Sequence, residues 1–93
     1  MTGNSTRGER IAAALTKALN PSVLEIADES DRHHGHAGAR PGGQTHYRLY
    51  IVADAFTGKG RLDRHRMVNA VLADEFAGGL HALAVTAAAP GER

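Results

Sequence analysis

Near the start of the chain, Ile11, Leu15 and Leu19 recur every four residues, with Ala12 and Ala18 beside them. That spacing gives one apolar face of a helix over about 7–19. Thr6-Arg7-Gly8-Glu9 supplies its start. The Thr6 hydroxyl can accept from the Glu9 backbone while the Glu9 carboxylate reaches back. Asn20-Pro21 ends it, because proline disfavours helical geometry in the residue before it. The period then changes to two. Val23 to Asp28 places Leu24 and Ile26 on one side and Glu25 on the other, which reads as a strand. In Thr45 to Val52, a second strand, Tyr47, Leu49 and Ile51 alternate with His46, Arg48 and Tyr50. One face should be buried and the other partly polar. Helical spacing returns over about 63–77, with Met67, Val68, Val71, Leu72 and Phe76 on the apolar stripe and Gly78-Gly79 as the stop. Leu80 to Ala87 is the third strand.

The predicted order is α-β-β-α-β, an α+β arrangement. The strand-helix-strand crossover lets the last strand run parallel to a neighbour, and the first two strands should be antiparallel. A mixed three-stranded sheet with helices on one face is the economical solution. Phe56 to Gly60 is a turn-rich connection. Residues 30–43 contain four glycines, one proline and three histidines, and predict a flexible loop too long for an ordinary hairpin.

Ninety-three residues predict one domain, with a core over about 7–86 and frayed ends. A domain of this size buries roughly 60–65% of its unfolded surface, which leaves little room for a deep, enclosed active site. Much of the 42% hydrophobic content is alanine and there is no tryptophan, so the core should be thin and aliphatic. Eleven basic against ten acidic residues give a net charge of +1, which argues against tight, salt-driven nucleic-acid binding. No apolar run approaches the ~20 residues that span a bilayer, and the polar first ten residues lack the apolar stretch of a signal peptide. A cytoplasmic location is the expectation.

The chemistry on offer is imidazole. Six histidines accompany no cysteine: His33, His34 and His36 in the long loop, then His46, His65 and His81. Imidazole is a borderline-soft metal ligand, but without thiolate the chain cannot by itself build the all-thiolate site that most iron–sulfur clusters use. It can supply half of a site whose sulfur comes from a partner. A metal-dependent hydrolase fits poorly, because no His-x-x-x-His helix pair occurs and no general base is placed beside such a site. No enzymatic activity is expected. His46, on the polar face of the second strand, reads as a hydrogen-bonding side chain. Glu25, Asp28 and Glu29 read as solvated, or as partners of Arg64 and Arg66.

Leu24-Glu25-Ile26-Ala27-Asp28-Glu29-Ser30, Thr45-His46-Tyr47, Phe56-Thr57-Gly58, Arg64-His65-Arg66-Met67-Val68, Leu72-Ala73-Asp74-Glu75 and Leu80-His81-Ala82-Leu83-Ala84 stand in an order and spacing that resemble the BolA family. The likeness covers roughly residues 7–86. It implies a fold like a class II KH domain. It also implies a non-enzymatic adaptor that pairs with a monothiol glutaredoxin. In such pairs a [2Fe–2S] cluster is shared with glutaredoxin cysteine and glutathione, and the isolated chain holds no cofactor. The family's ligand histidine falls on His81. A second family ligand lies in the loop between the first two strands, where this chain offers His33, His34 and His36. Some family members are also described as transcription regulators. Lys59, Arg61, Arg64 and Arg66 form the basic group that would serve a partner or DNA. Gly58-Lys59-Gly60 lacks the spacing of the glycine-x-x-glycine loop with which KH domains grip nucleic acid. The two arginines around His65 are expected to face a partner, with His65 structural. The sequence leaves open whether the free chain is a monomer or a homodimer.

Overall fold

A computed structural model of the chain describes residues 6–29 and 46–92. The long loop with His33, His34 and His36, and the residues before Thr6, lie outside the described residues. Helix α1 (Arg7–Leu19) begins with the expected capping box. Glu9 donates its backbone N–H to Thr6 Oγ1 at 3.1 Å, and Thr6 donates to Glu9 Oε1 at 2.9 Å. A further first-turn donor, the Gly8 N–H, is taken by the Tyr47 hydroxyl from the sheet below. The helix ends on Asn20, which turns into the left-handed region at φ 47° and donates its N–H to the Thr16 carbonyl. Ile11 and Leu15 are fully buried, as their spacing requires.

Strand β1 (Val23–Asp28) pairs antiparallel with β2 (His46–Val52), and β2 pairs parallel with β3 (Ala82–Ala88), so β2 is central. Tyr47, Leu49 and Ile51 point into the core. Leu24, Ile26, Leu83 and Val85 from the flanking strands pack against it. The opposite face carries Glu25, His46, Arg48, Tyr50, Ala84 and Thr86. The helices cover one face only, as expected. After β2 the chain makes a short 3-10 turn at Asp54–Phe56, which buries Phe56 completely.

The second helical segment departs from its sequence pattern in two ways. Helix α2 spans Arg61–Val71, starting two residues earlier than predicted, and Leu72 separates it from a short helix α3 (Ala73–Ala77). At Leu72 the backbone opens to φ −99° and ψ 15° while the side chain stays fully buried. The break brings Glu75 round to α1. Its carboxylate takes Arg10 Nε at 2.9 Å and Arg7 Nη1 at 3.3 Å, and its carbonyl takes Arg7 Nη1 at 2.9 Å. The third strand also starts later than predicted. Leu80 is buried, but its N–H closes the end of α3 on the Glu75 carbonyl at 2.9 Å, and β3 begins at Ala82.

Candidate functional site

In the parallel pair, His46 stands opposite Ala82, so the first residue of β2 and the residue before β3 lie at the same end of the sheet. His81 is that residue. It is exposed, and the His46 ring is half-buried beside it. The two ring centres are 5.1 Å apart, with the planes tilted by 54°. A recess of about 320 Å³ opens alongside, lined by Glu29, His46, Tyr47, Ala82, Leu83 and Ala84. Glu29 is held there twice: its N–H donates to the His46 carbonyl at 2.8 Å, and its carboxylate accepts from Arg48 Nε at 3.0 Å. That hydrogen bond, with the ion pair, raises the Arg48 guanidinium pKa above its ordinary value. Two imidazoles and a carboxylate nearby make this end of the sheet the ligand-rich edge among the described residues. Among the described residues, no group of three or more histidine, aspartate or glutamate side chains is arranged to hold a metal ion. The pairing of His46 with His81 was not foreseen from sequence, where His46 read as an ordinary hydrogen-bonding residue.

Tyr47, next to His46, faces the other way and is buried against α1. Burial raises its hydroxyl pKa above the usual value, the Asp28 charge adds to this, and the Gly8 N–H opposes both. An extra carbon at Gly8 would lie 3.4 Å from Tyr47 Cε2, so a side chain at this position would touch the ring.

The basic group is divided. A groove of about 420 Å³ runs between the start of α2 and β3, lined by Lys59, Arg61, Arg64, His65, Val85, Thr86 and Ala87. Lys59 and Arg61 are exposed there and His65 is half-buried in the wall. Arg64, expected to face a partner, is turned inward in this structure. Its guanidinium grips Glu92 at 2.6 and 3.0 Å, and donates to the Lys59 carbonyl at 2.8 Å and the Ala87 carbonyl at 3.1 Å. Only 12% of its side chain is accessible, so it latches α2 to the turn after β3 instead of offering a charge. The hydrogen bond from Arg64, aided by the Ala89 N–H, lowers the Glu92 pKa to about 2. Arg66 does project, 71% exposed, with Asp63 no closer than 4.0 Å one turn back. The acidic partners expected for these arginines are also placed otherwise, since Glu29 pairs with Arg48.

The model of the BolA-like protein family matches residues 15–92. The chain belongs to the BolA family. Among curated BolA-related proteins, SufE-like protein 1 of Arabidopsis thaliana is 46% identical over 91 residues, covering 94% of this chain but 24% of that protein. The chain thus spans about a quarter of that relative's length. The DNA-binding transcriptional regulator BolA of Escherichia coli is 43% identical over 77 residues, 83% of this chain and 70% of that one. Among solved structures, the BolA domain of SufE1 from Arabidopsis thaliana superposes with a TM-score of 0.85 at 45% identity, covering 96% of this chain and 98% of that one. The mixed sheet and one-sided helices of this BolA-like chain are therefore the family fold. Among the described residues, no helix is long and apolar enough to cross a membrane.

Proposed function

We propose that this BolA-like chain is a non-enzymatic adaptor that pairs with a monothiol glutaredoxin and shares a [2Fe–2S] cluster with it, His81 being a ligand. The observation that supports this reading most is an exposed His81 at the open end of the sheet, beside a second imidazole, in a chain without cysteine. The donor set fits one half of such a cluster. Imidazole nitrogen can replace two thiolates on one iron, which raises the potential, and the remaining thiolates must then come from outside. In this reading the chain's work is presentation. The sheet holds its ligand edge open to a docked partner, and Lys59, Arg61 and Arg66 offer positive charge around the corner of α2. The experiment is anaerobic mixing with a monothiol glutaredoxin, glutathione, iron and sulfide, with iron and sulfide counted in the purified complex. His81→Ala should stay folded and change the visible spectrum of the mixed cluster. A spectrum identical to that of the parent complex removes His81 from the site, and failure of any glutaredoxin to associate removes the reading.

A second reading, a DNA-binding regulator, is supported by the name of the Escherichia coli relative and by the exposed Lys59, Arg61 and Arg66. The loss of Arg64 to its latch, and the net charge of +1, favour the first.

A further inference from the structure

We infer that His46 and His81 form a chelating pair for a single tetrahedral divalent cation of the zinc class, bound by the chain when no partner is docked. Histidine nitrogens bind such ions at about 2.0–2.1 Å, and each ring nitrogen lies about 1.1 Å from its ring centre. Two imidazoles on one tetrahedral ion then have their ring centres about 5.2 Å apart, against about 4.5 Å for a right-angled pair. The separation here is 5.1 Å, at the tetrahedral value, with the rings tilted and not stacked. Each imidazole carries two ring nitrogens on a broad terminal torsion, so one can serve the ion while the other keeps a hydrogen bond.

The pair is also prepositioned. His46 is fixed by the strand register that buries its neighbour Tyr47. His81 is fixed by the closure of α3 on one side and by β3 on the other. The recess beside His46 and the exposed side of His81 leave room for the two further ligands that complete a tetrahedron, as water or as a group from another molecule. The rest of the inference leans on the glutaredoxin reading: an ion held by His81 occupies the nitrogen that the shared cluster needs. Metal load then opposes cluster sharing.

The test uses the full chain with His33, His34 and His36 changed to Asn, so that loop imidazoles contribute nothing. Zn²⁺ is titrated by calorimetry, and Co²⁺ by its visible absorption, which is intense only in tetrahedral sites. One ion per chain is expected. His46→Asn or His81→Asn in that background should each weaken binding by about tenfold or more, and the double change should add little, because one imidazole alone does not chelate. His81 is exposed, so its variant keeps the test sharp even if His46→Asn perturbs the strand. Binding lost with the loop changes alone, or single variants within about twofold of the background, overturns the pair. A second arm mixes zinc-loaded and metal-free chain with glutaredoxin, glutathione, iron and sulfide, and expects less cluster from the loaded chain. Equal yields overturn the competition. Failure of any cluster to form with metal-free chain counts against the glutaredoxin reading and leaves the zinc result standing.

Discussion

Replacing Tyr47 by Phe isolates one contact that joins helix to sheet. The ring is buried, and its hydroxyl accepts from the Gly8 N–H in the first turn of α1. Phenylalanine keeps the ring and its burial, so the change removes only the hydroxyl. A lost intramolecular hydrogen bond costs about 0.5–1.5 kcal/mol. The Gly8 amide is half-buried, so water can replace part of the bond and the middle of that range applies. For a domain of this size, about 1 kcal/mol lowers Tm by about 4–8 °C. Calorimetry or circular dichroism gives the shift, and hydrogen exchange should show the Gly8 amide losing protection while amides in β2 keep theirs. The buried hydroxyl also has a pH signature, set by its burial and the Asp28 charge against the opposing Gly8 N–H. The folded hydroxyl has a raised pKa, so its contribution is complete below the ordinary value of 10.0 and is lost as pH rises through the folded value. Tyr47→Phe should flatten that alkaline loss. A Phe variant with parental Tm and an equally protected Gly8 amide would refute the reasoning.

Gly79 sits at φ 127°, and a side chain there would come within 3.0 Å of Arg7 Nη2. Gly79→Ala should therefore cost about 1–3 kcal/mol in urea unfolding and loosen the Arg7 bond to the Gly78 carbonyl. Glu92 ionises in the folded chain at about 2, against an ordinary 4.5, so its stabilising effect is present above 4.5 and disappears as pH falls toward 2. Glu92→Gln should be less stable than the parent at neutral pH, with the difference closing over that window; a constant difference down to pH 2 would count against the latch. If the chain binds DNA, Lys59, Arg61 and Arg66 are the exposed cations of the α2 region. Three phosphate contacts give a log–log salt slope no steeper than about −2.7, or about 40-fold weaker binding from 50 to 200 mM salt. A slope of about −3.6 at pH 8 would mean that a fourth cation, Arg64, leaves Glu92 to join them.

Where a local period decides an element, the sequence was legible. Helix α1, its capping box and the alternation of β2 all follow from spacings within one turn or one pleat. The break at Leu72 was hidden because Val68, Leu72 and Phe76 keep a four-residue spacing across it. The early start of α2 left no apolar trace, since Leu62 is 62% exposed and Gly60 offers no side-chain cap. Leu80 read as strand because it is apolar, yet its burial belongs to the closing turn of α3. The Arg64–Glu92 latch joins residues 28 apart, beyond the reach of any spacing rule. His46 is different, because a signal existed. Parallel neighbours start at the same end of a sheet, and a histidine at the head of each, His46 and His81, predicts that they meet. His33, His34 and His36 lie outside the described residues and stay candidates from sequence.

The imidazole pair is positioned by forces that do not involve imidazole. Sliding β2 by one residue would turn Tyr47, Leu49 and Ile51 to solvent and His46 inward. Exposing three such side chains, at about 1.5–3 kcal/mol each, costs upwards of roughly 5 kcal/mol, comparable with the whole stability of a small domain. The core therefore holds His46 at the sheet's open edge. His81 stands at that edge without belonging to a strand, after a helix end fixed by Leu80 and Gly79. Ligands held in this way bring their geometry to a metal without paying for it in ordering entropy at the moment of binding. The same independence means that an exposed imidazole can be exchanged with little effect on the fold. Loss of metal or cluster in a His81 variant can then be read as loss of a ligand.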